Sequence, residues 1–185
     1  SNITQGSKGY LQYANPAQLH KTNGWSLTTS ILTLPLDRSV QTFSLSKNLP
    51  PFAGIAFSFY RSAVNGIDGR DHMNIHTERL NTSNYMGMLS FGLAPSKSAS
   101  IGINVKNYLI NFVDEHKGNG IGLDLGVEYY LFDDFILSYK IENLSSEMNW
   151  NIDVGDESRQ SIESFPLYHH IGTSYLLKNI NVFVK

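Results

Sequence analysis

The sequence predicts an all-β protein whose antiparallel strands, about nine in number, run up and down in chain order. Two observations favour this fold class. Apolar side chains alternate with small or polar ones along many segments, most clearly over residues 119–132, so that each strand has one apolar face. No segment carries the i, i+3, i+4 apolar spacing of an amphipathic helix over a helical length.

Each predicted strand is an alternating run bounded by turn residues, and residues 1–23 form a lead-in before the first one. Several strands reach ten residues or more, which is longer than the ~5–6 typical of globular proteins and close to the ~9–11 that cross a bilayer at a tilt. Their length favours a transmembrane β-barrel. In chain order, the strands are predicted over residues 24–34, 39–48, 52–64, 84–94, 99–113, 119–132, 134–144, 166–177 and 179–185.

The connections between these strands alternate between short and longer ones. Because successive turns of an up-and-down sheet lie at opposite ends, the short turns are predicted at one end and the longer loops at the other. Outer-membrane β-barrels have this asymmetry. Residues 35–38 depart from it, since they form a short connection where a long one is due. The predicted short turns are 49–51, 95–98, Asp133 and Lys178, and the longer loops are 65–83, 114–118 and 145–165.

Composition favours a sheet whose outer face meets something other than bulk water. Charged residues make up 16% of the 185 residues, below the ~25% of ordinary soluble domains, while aromatic residues reach 12%. The absence of cysteine excludes disulfides, thiol catalysis and cysteine metal sites. No apolar run is long enough for a transmembrane helix. The net charge of −2 without a basic cluster argues against nucleic acid as a partner.

The polar face of the central strands carries a candidate charged site. If the odd-numbered positions of residues 119–132 face lipid, the acidic side chains of that strand point into the lumen. We expect Gly126 to lie opposite Lys140 on one neighbouring strand and opposite Lys106 on the other, which places opposite charges at diagonal spacing. Two interpretations remain open: a lumenal salt-bridge network or a polar ligand site. The candidate residues are Lys106, Asp124, Glu128, Lys140 and Glu142.

The chain is predicted to be no enzyme and to hold no cofactor or metal. It has no G-x-S-x-G nucleophile elbow, and the glycines at 120 and 122 lead into a strand rather than a helix, so they form no phosphate cradle. His72 and His76 are four residues apart, but they lie in a polar loop or short strand without a third ligand nearby. The adjacent His169 and His170 point to opposite faces of a strand.

The predicted loop 65–83 is the candidate recognition surface. It mixes both signs of charge around a glycine turn, and two interpretations remain open: a self-packed, salt-bridged loop or a partner-binding loop. The same alternatives apply to loop 145–165, where Met148 and Trp150 precede an acidic stretch. The candidate partner-binding residues are Asp68, Arg70, Asp71, Glu78 and Arg79.

Several segments, taken in order, resemble outer-membrane proteins of the PorV/PorQ type, which are relatives of the FadL fatty-acid channel. Residues 13–19, YANPAQL, are similar to an N-P-A-x-L signature near the start of those proteins. The resemblance extends over nearly the whole chain. Its other segments are residues 53–57, 66–71, 90–92, 100–106, 120–126, 142–144 and 165–175.

The resemblance implies a FadL-like barrel of about fourteen strands in the bacterial outer membrane, with residues 24–185 supplying about nine of them. Nine strands leave open sheet edges, which cannot persist in lipid, so we expect a portion of a longer barrel or closure by another chain. No glycine-rich leader precedes the N-P-A motif in this sequence, which argues against a lumen-plugging hatch.

For function, the resemblance implies a non-enzymatic component of type IX secretion or of a surface complex, with the lipid bilayer and other proteins as partners. One alternative is a FadL-like channel for a hydrophobic small molecule, which would bind a lipophilic ligand. Another is a soluble or surface-assembled structural β-sheet protein. The matched segments are strand motifs, and they do not separate the secretion role from the channel role.

Overall fold

A computed structural model describes residues 3, 4, 6, 9–112, 116–132, 134–154, 157–177 and 180–184. It confirms the prediction of an all-β, antiparallel, up-and-down sheet. Two short helices precede the strands: an α-helix at Leu11–Ala14 and a 3-10 helix at Pro16–Lys21. Among the described residues, no helix has the length and apolar character needed to cross a membrane.

The strands form one sheet in which nearly every strand pairs with its neighbour in sequence. Strand β9 pairs with the first part of β7, and strand β8 pairs with the last part of β7. Both therefore lie beside the same strand, one after the other along its length. Over the described residues, β1 and β10 form the two edges, so the sheet is not closed, which is consistent with part of a barrel. The strands are β1 Trp25–Leu34, β2 Arg38–Leu49, β3 Ala53–Arg70, β4 His76–Ser96, β5 Ala99–Phe112, β6 His116–Phe132, β7 Phe135–Val154, β8 Glu157–Ser164, β9 Tyr168–Leu177 and β10 Ile180–Val184.

The prediction of long loops at 65–83 and 145–165 is wrong, because both segments are mostly strand. Strands β3 and β4 continue through the first to a turn at 71–75, and β7 continues through the second and pairs with β8. The β3–β4 extension has little apolar alternation, because it is largely exposed to water on both faces and needs no apolar face. Along the β7 extension, Met148, Trp150 and Ile152 do alternate with polar residues, and the prediction missed this signal. The asymmetry between the two ends therefore lies in strand length rather than in loop length.

We call the end with the turns 35–37 and 71–75 the hairpin end, and the opposite end, with the turns 50–52 and 97–98, the short-turn end. Three predicted connections involve residues 114–115, Asp133 and Lys178, which lie outside the described residues.

The two faces of the sheet have opposite character. Large apolar side chains at odd positions are exposed on the outer face, such as Ile101 at 47% and Leu125 at 38%. Serine, asparagine, glycine and charged side chains occupy the inner face, where Ser58, Asn104 and Asp124 are buried. The predicted parity of the strands is therefore confirmed, and the arrangement inverts that of a soluble domain, whose apolar side chains face inward.

The lead-in lies against the inner face of the sheet. Residues 10–22, which we call the plug, include the two short helices, and the 3-10 helix contacts strands β2 to β6. Ala17 and Leu19 have no exposed surface. The expectation that no hatch fills the lumen side is wrong for this segment, because the plug is formed by the N-P-A motif itself and not by a glycine-rich leader before it.

Candidate functional site

A row of inward-facing glycines makes room for the plug. These glycines lie directly opposite one another on four consecutive strands, so they form a continuous groove across the sheet. A Cβ atom added at Gly102 would lie 2.3 Å from the carbonyl carbon of Pro16, and one added at Gly54 would lie 2.0 Å from the carbonyl oxygen of Leu19. Any larger residue would therefore push the 3-10 helix off the sheet. The row consists of Gly54, Gly92, Gly102 and Gly126.

The N-P-A motif begins the 3-10 helix that lies in this groove. The Asn15 side-chain oxygen accepts a hydrogen bond from the Ala17 backbone N–H at 3.0 Å, which satisfies a donor that the first helical turn leaves without a partner. Pro16 occupies the first helical position, where its missing N–H costs no helical bond. The Asn15 amide also donates to the carbonyl oxygen of Val127 at 3.3 Å. The asparagine therefore both caps the helix and ties it to β6.

Inner-face side chains hold the backbone of the plug at two further points. The Asn104 amide donates to the carbonyl oxygen of Gln12 at 3.0 Å, and the Lys140 ammonium donates to that of Tyr13 at 3.1 Å. Both side chains are buried. Because buried polar groups are costly without partners, these bonds favour the docked plug over a bare inner face.

Four of the five predicted charged residues come together beside the plug. Lys106 Nζ lies 2.7 Å from one Asp124 oxygen, and Lys140 Nζ lies 3.7 Å from the other. Glu142 accepts from both lysines, at 3.5 Å from Lys106 and 3.1 Å from Lys140. Lysine and carboxylate charges thus alternate in one buried cluster, and Asp124 also receives the Asn104 amide at 3.0 Å. Both lysines contact two carboxylates each, and Lys106 also donates to the Asn143 side chain at 3.3 Å, which favours a structural role over a ligand site.

The register behind this cluster differs from the prediction on one side. Gly126 lies opposite Lys140 as predicted, but Lys106 lies opposite Gly122 and not opposite Gly126. The pairing of β5 with β6 is offset by four residues from the predicted one, because β6 begins three residues earlier than predicted, at His116, and β5 ends one residue earlier, at Phe112. Lys106 reaches Asp124 all the same, because a long side chain spans the diagonal to the next inward-facing position.

Glu128, the fifth predicted residue, lies apart from the cluster and anchors the end of the plug. Its carboxylate, fully buried, accepts from Lys21 Nζ at 2.8 Å and from the Gln18 amide at 2.7 Å. The hydroxyls of Tyr130 and Ser138 complete its partners. The sequence offered no local signal for this contact, because Lys21 and Gln18 precede Glu128 by more than a hundred positions.

The predicted partner-binding residues lie on the exposed β3–β4 hairpin. Asp68 pairs with Arg70 Nη2 at 2.7 Å and with the His76 ring, and Asp68 also lies opposite Arg79 in the strand register. Asp71 accepts from two backbone N–H groups and so closes the turn at 71–75. The charges at this tip therefore largely satisfy one another. Glu78 and Arg79 are exposed on β4.

The other histidines occupy separate environments. His72 is exposed in the turn at 71–75. His169 contacts the Tyr139 hydroxyl, whereas His170 contacts Glu142 in the inner cluster, so the two rings lie on opposite faces. Within the described part of the chain, no group of three His, Cys, Asp or Glu side chains is arranged to hold a metal ion.

An aromatic cavity of about 750 Å³ lies on the inner face between the plug and the hairpin end. Phe165, which lies between β8 and β9, forms part of the cavity wall, and its ring centroid is 5.1 Å from that of Tyr108. The sequence did not reveal this cavity, because its rings come from the plug and from distant strands that only the folded sheet brings together. Its main side chains are Tyr10, Tyr13, Tyr60, Met86, Tyr108, Ile110 and Phe165.

The chain matches no known protein family, no curated protein and no solved structure. Three structural features remain as the basis for function. They are the apolar outer face, the plug that covers the inner face, and the aromatic cavity beside the plug.

Proposed function

We propose that this protein is a non-enzymatic β-barrel component of the bacterial outer membrane, of the PorV/PorQ type, and that it acts in type IX protein export or in a related surface complex. The observation that supports this proposal is the apolar band on the outer face of the sheet.

The height of the band fits a bilayer. On β6, the outward positions from Ile121 to Leu131 are all apolar or aromatic, and Ile121, Val127 and Tyr129 expose 62%, 42% and 47% of their surface. Ten residue steps of about 3.3 Å span about 33 Å, which at a tilt of about 40° gives a height of about 25 Å. That is the height of the outward apolar band of outer-membrane barrels. Beyond Ile121, the next outward residues toward the hairpin end are Asn119 and Lys117, which are polar.

The plug favours a role in protein interaction over a role as an open pore. It lies across β2 to β6 at the level of the glycine row, within the height of the apolar band. The β3–β4 hairpin extends well past the band and is exposed. In this proposal the barrel wall anchors the protein in the membrane, and the hairpins meet protein partners at the surface.

Cysteine labelling tests the membrane placement directly, since the natural chain contains no cysteine. Single variants Val105→Cys and Leu125→Cys lie in the band, and Asn111→Cys and Asn119→Cys lie on the same outer face beyond it. In intact outer membranes, we expect a water-soluble maleimide to label the two asparagine variants and to leave the two band variants unlabelled until detergent and heat unfold the protein. Equal labelling of all four, or a soluble monomer without detergent, would contradict the proposal.

Shortening the β3–β4 hairpin tests the export role. Replacing residues 68–79 with a two-residue turn removes the exposed tip and leaves the band intact. In cells that carry a type IX system, we expect secretion of its cargo to fall while heat-modifiable gel migration of the barrel is unchanged. Normal secretion by the shortened protein would count against a partner role for this hairpin.

The aromatic cavity favours a second candidate function, a FadL-like channel for a hydrophobic small molecule. Its volume of about 750 Å³ lies within the ~300–1,000 Å³ of small-molecule sites, and its walls are mainly aromatic and aliphatic. Mass spectrometry of organic extracts from the purified protein tests this function. A lipophilic compound retained by the natural protein and lost from a Tyr60→Ala variant would favour the channel, whereas an empty cavity in both would disfavour it.

A further inference from the structure

A second cavity, of about 490 Å³, opens at the short-turn end and combines basic and apolar walls. The last residues of the plug form one side of it, and the turns that precede β3 and β5 form the other. Its principal side chains are His20, Lys21, Phe52, Pro95, Lys97 and Tyr130.

The charge facing this cavity is positive. Lys97 is exposed in the β4–β5 turn, and its ammonium has no carboxylate within 4 Å among the residues that the structure describes. Lys21 pairs with Glu128, but that carboxylate is fully buried and is already saturated by donors from the plug and the sheet. Glu128 therefore offers no exposed oxygen to the cavity, although its charge offsets that of Lys21, so Lys97 supplies the unpaired positive charge. A lysine ammonium has three N–H donors, so Lys21 keeps donors for a second anion.

The remaining walls are apolar. Phe52 is 64% exposed at the β2–β3 turn, Pro95 is exposed beside it, and the Tyr130 ring lies under the Lys21 ammonium at 5.3 Å. A free inorganic anion would leave the Phe52 ring in water. An amphiphile with a negative head group would cover it, because the apolar part of such a molecule continues where the charged part ends.

The location at the rim of the apolar band narrows the class of amphiphile. Lysine and aromatic side chains concentrate where a membrane protein crosses the lipid head groups. The outer face of this rim carries another such pair, in which Lys47 Nζ lies 4.7 Å from the Trp25 ring centre.

We propose that the short-turn cavity binds the head group of an anionic phospholipid. The phosphate contacts the ammonium groups of Lys21 and Lys97, and the glycerol and first acyl carbons lie against Phe52 and Pro95. This inference rests on the proposed membrane placement, since it assumes that the short-turn end meets a lipid leaflet.

Binding of short-chain lipids to the purified full-length chain in a non-ionic detergent tests the site without requiring insertion into a membrane. We expect dihexanoyl phosphatidylglycerol to bind saturably and the zwitterionic dihexanoyl phosphatidylcholine to bind at least about fivefold more weakly, because the choline ammonium is repelled by the lysines. Lys97→Gln should weaken phosphatidylglycerol binding by about fivefold, the effect of one lysine near a phosphate.

Lys117→Gln is the matched control, since Lys117 is an exposed lysine at the opposite end, and it should leave the affinity unchanged. Equal affinities for the two lipids, or equal effects of the two substitutions, would overturn the inference. Displacement of the lipid by an equimolar concentration of inorganic phosphate would also overturn it, because the site would then be one for the free anion. Cysteine labelling reports insertion separately, so failure of the lipid site and failure of the membrane placement remain distinguishable.

Discussion

Adding one methyl group at Gly102 should release the plug while leaving the sheet intact. A Cβ atom there would lie 2.3 Å from the Pro16 carbonyl carbon and 2.4 Å from the Ala17 nitrogen. Because ordinary carbon contacts begin near 3.5 Å, the plug backbone must retreat by about 1 Å. Overpacking of this kind costs about 1–3 kcal/mol, and the atoms in the way are backbone, which cannot rotate aside as a side chain can. The plug yields first, because the sheet on the other side is held by continuous ladders of hydrogen bonds.

Amide hydrogen exchange of the Gly102→Ala variant measures this effect. A loss of about 1–3 kcal/mol in the free energy of plug docking corresponds to a fall of about 5- to 150-fold in the protection of the plug amides. The protection of amides in strands β4 to β6 should change little. Gly87→Ala is the matched control on β4, since no heavy atom outside its own backbone neighbourhood lies within 4 Å of the added Cβ. Unchanged protection of the plug in Gly102→Ala, or an equal loss in Gly87→Ala, would refute the steric account of the glycine row.

Three further predictions concern the charged cluster, the plug and the aromatic cavity. Lys106→Met should lower the free energy of unfolding in detergent by about 3–5 kcal/mol, because it leaves the buried Asp124 short of a partner. Denaturant titration measures this, and the control Lys117→Met, at an exposed position, should cost less than about 0.5 kcal/mol. Burial lowers the pKa of His20 from its ordinary 6.5, so its contribution to plug docking is complete above about pH 6.5 and is lost as the pH falls through the lowered pKa. Plug protection should therefore decrease between pH 7.5 and 5.5 in the natural protein and by less in His20→Gln; an equal decrease would assign the effect to other groups. Phe165→Ala should weaken binding of the fluorescent probe N-phenyl-1-naphthylamine by about two- to tenfold through loss of one wall ring, and an unchanged affinity would place the probe elsewhere.

Local pattern was sufficient for the fold class and for the orientation of the strands. In 119–132, the period of two assigned Leu125 to the outer face and Asp124 to the inner face, and the burial of the two residues agrees. The opposition of Gly126 and Lys140 also followed from the sequence, because a tight turn leaves little freedom of register. Pattern failed at the hairpin end, where β3 and β4 continue without an apolar face and therefore resemble a polar loop.

The sequence alone determined that apolar and polar residues alternate along the strands and which residues share a face of the sheet. It also determined that acidic residues and lysines meet on the inner face. Tertiary structure decided what that face contacts. The four glycines of the groove are separated by up to 72 positions in sequence, and each is by itself only a small residue in a strand. Only the register of four strands aligns them, and only then does their lack of a side chain become space for the N-P-A helix. The same holds for the partners of Glu128 and for the two cavities. They depend on contacts between the lead-in and distant strands, and such contacts leave no periodic signal in the sequence.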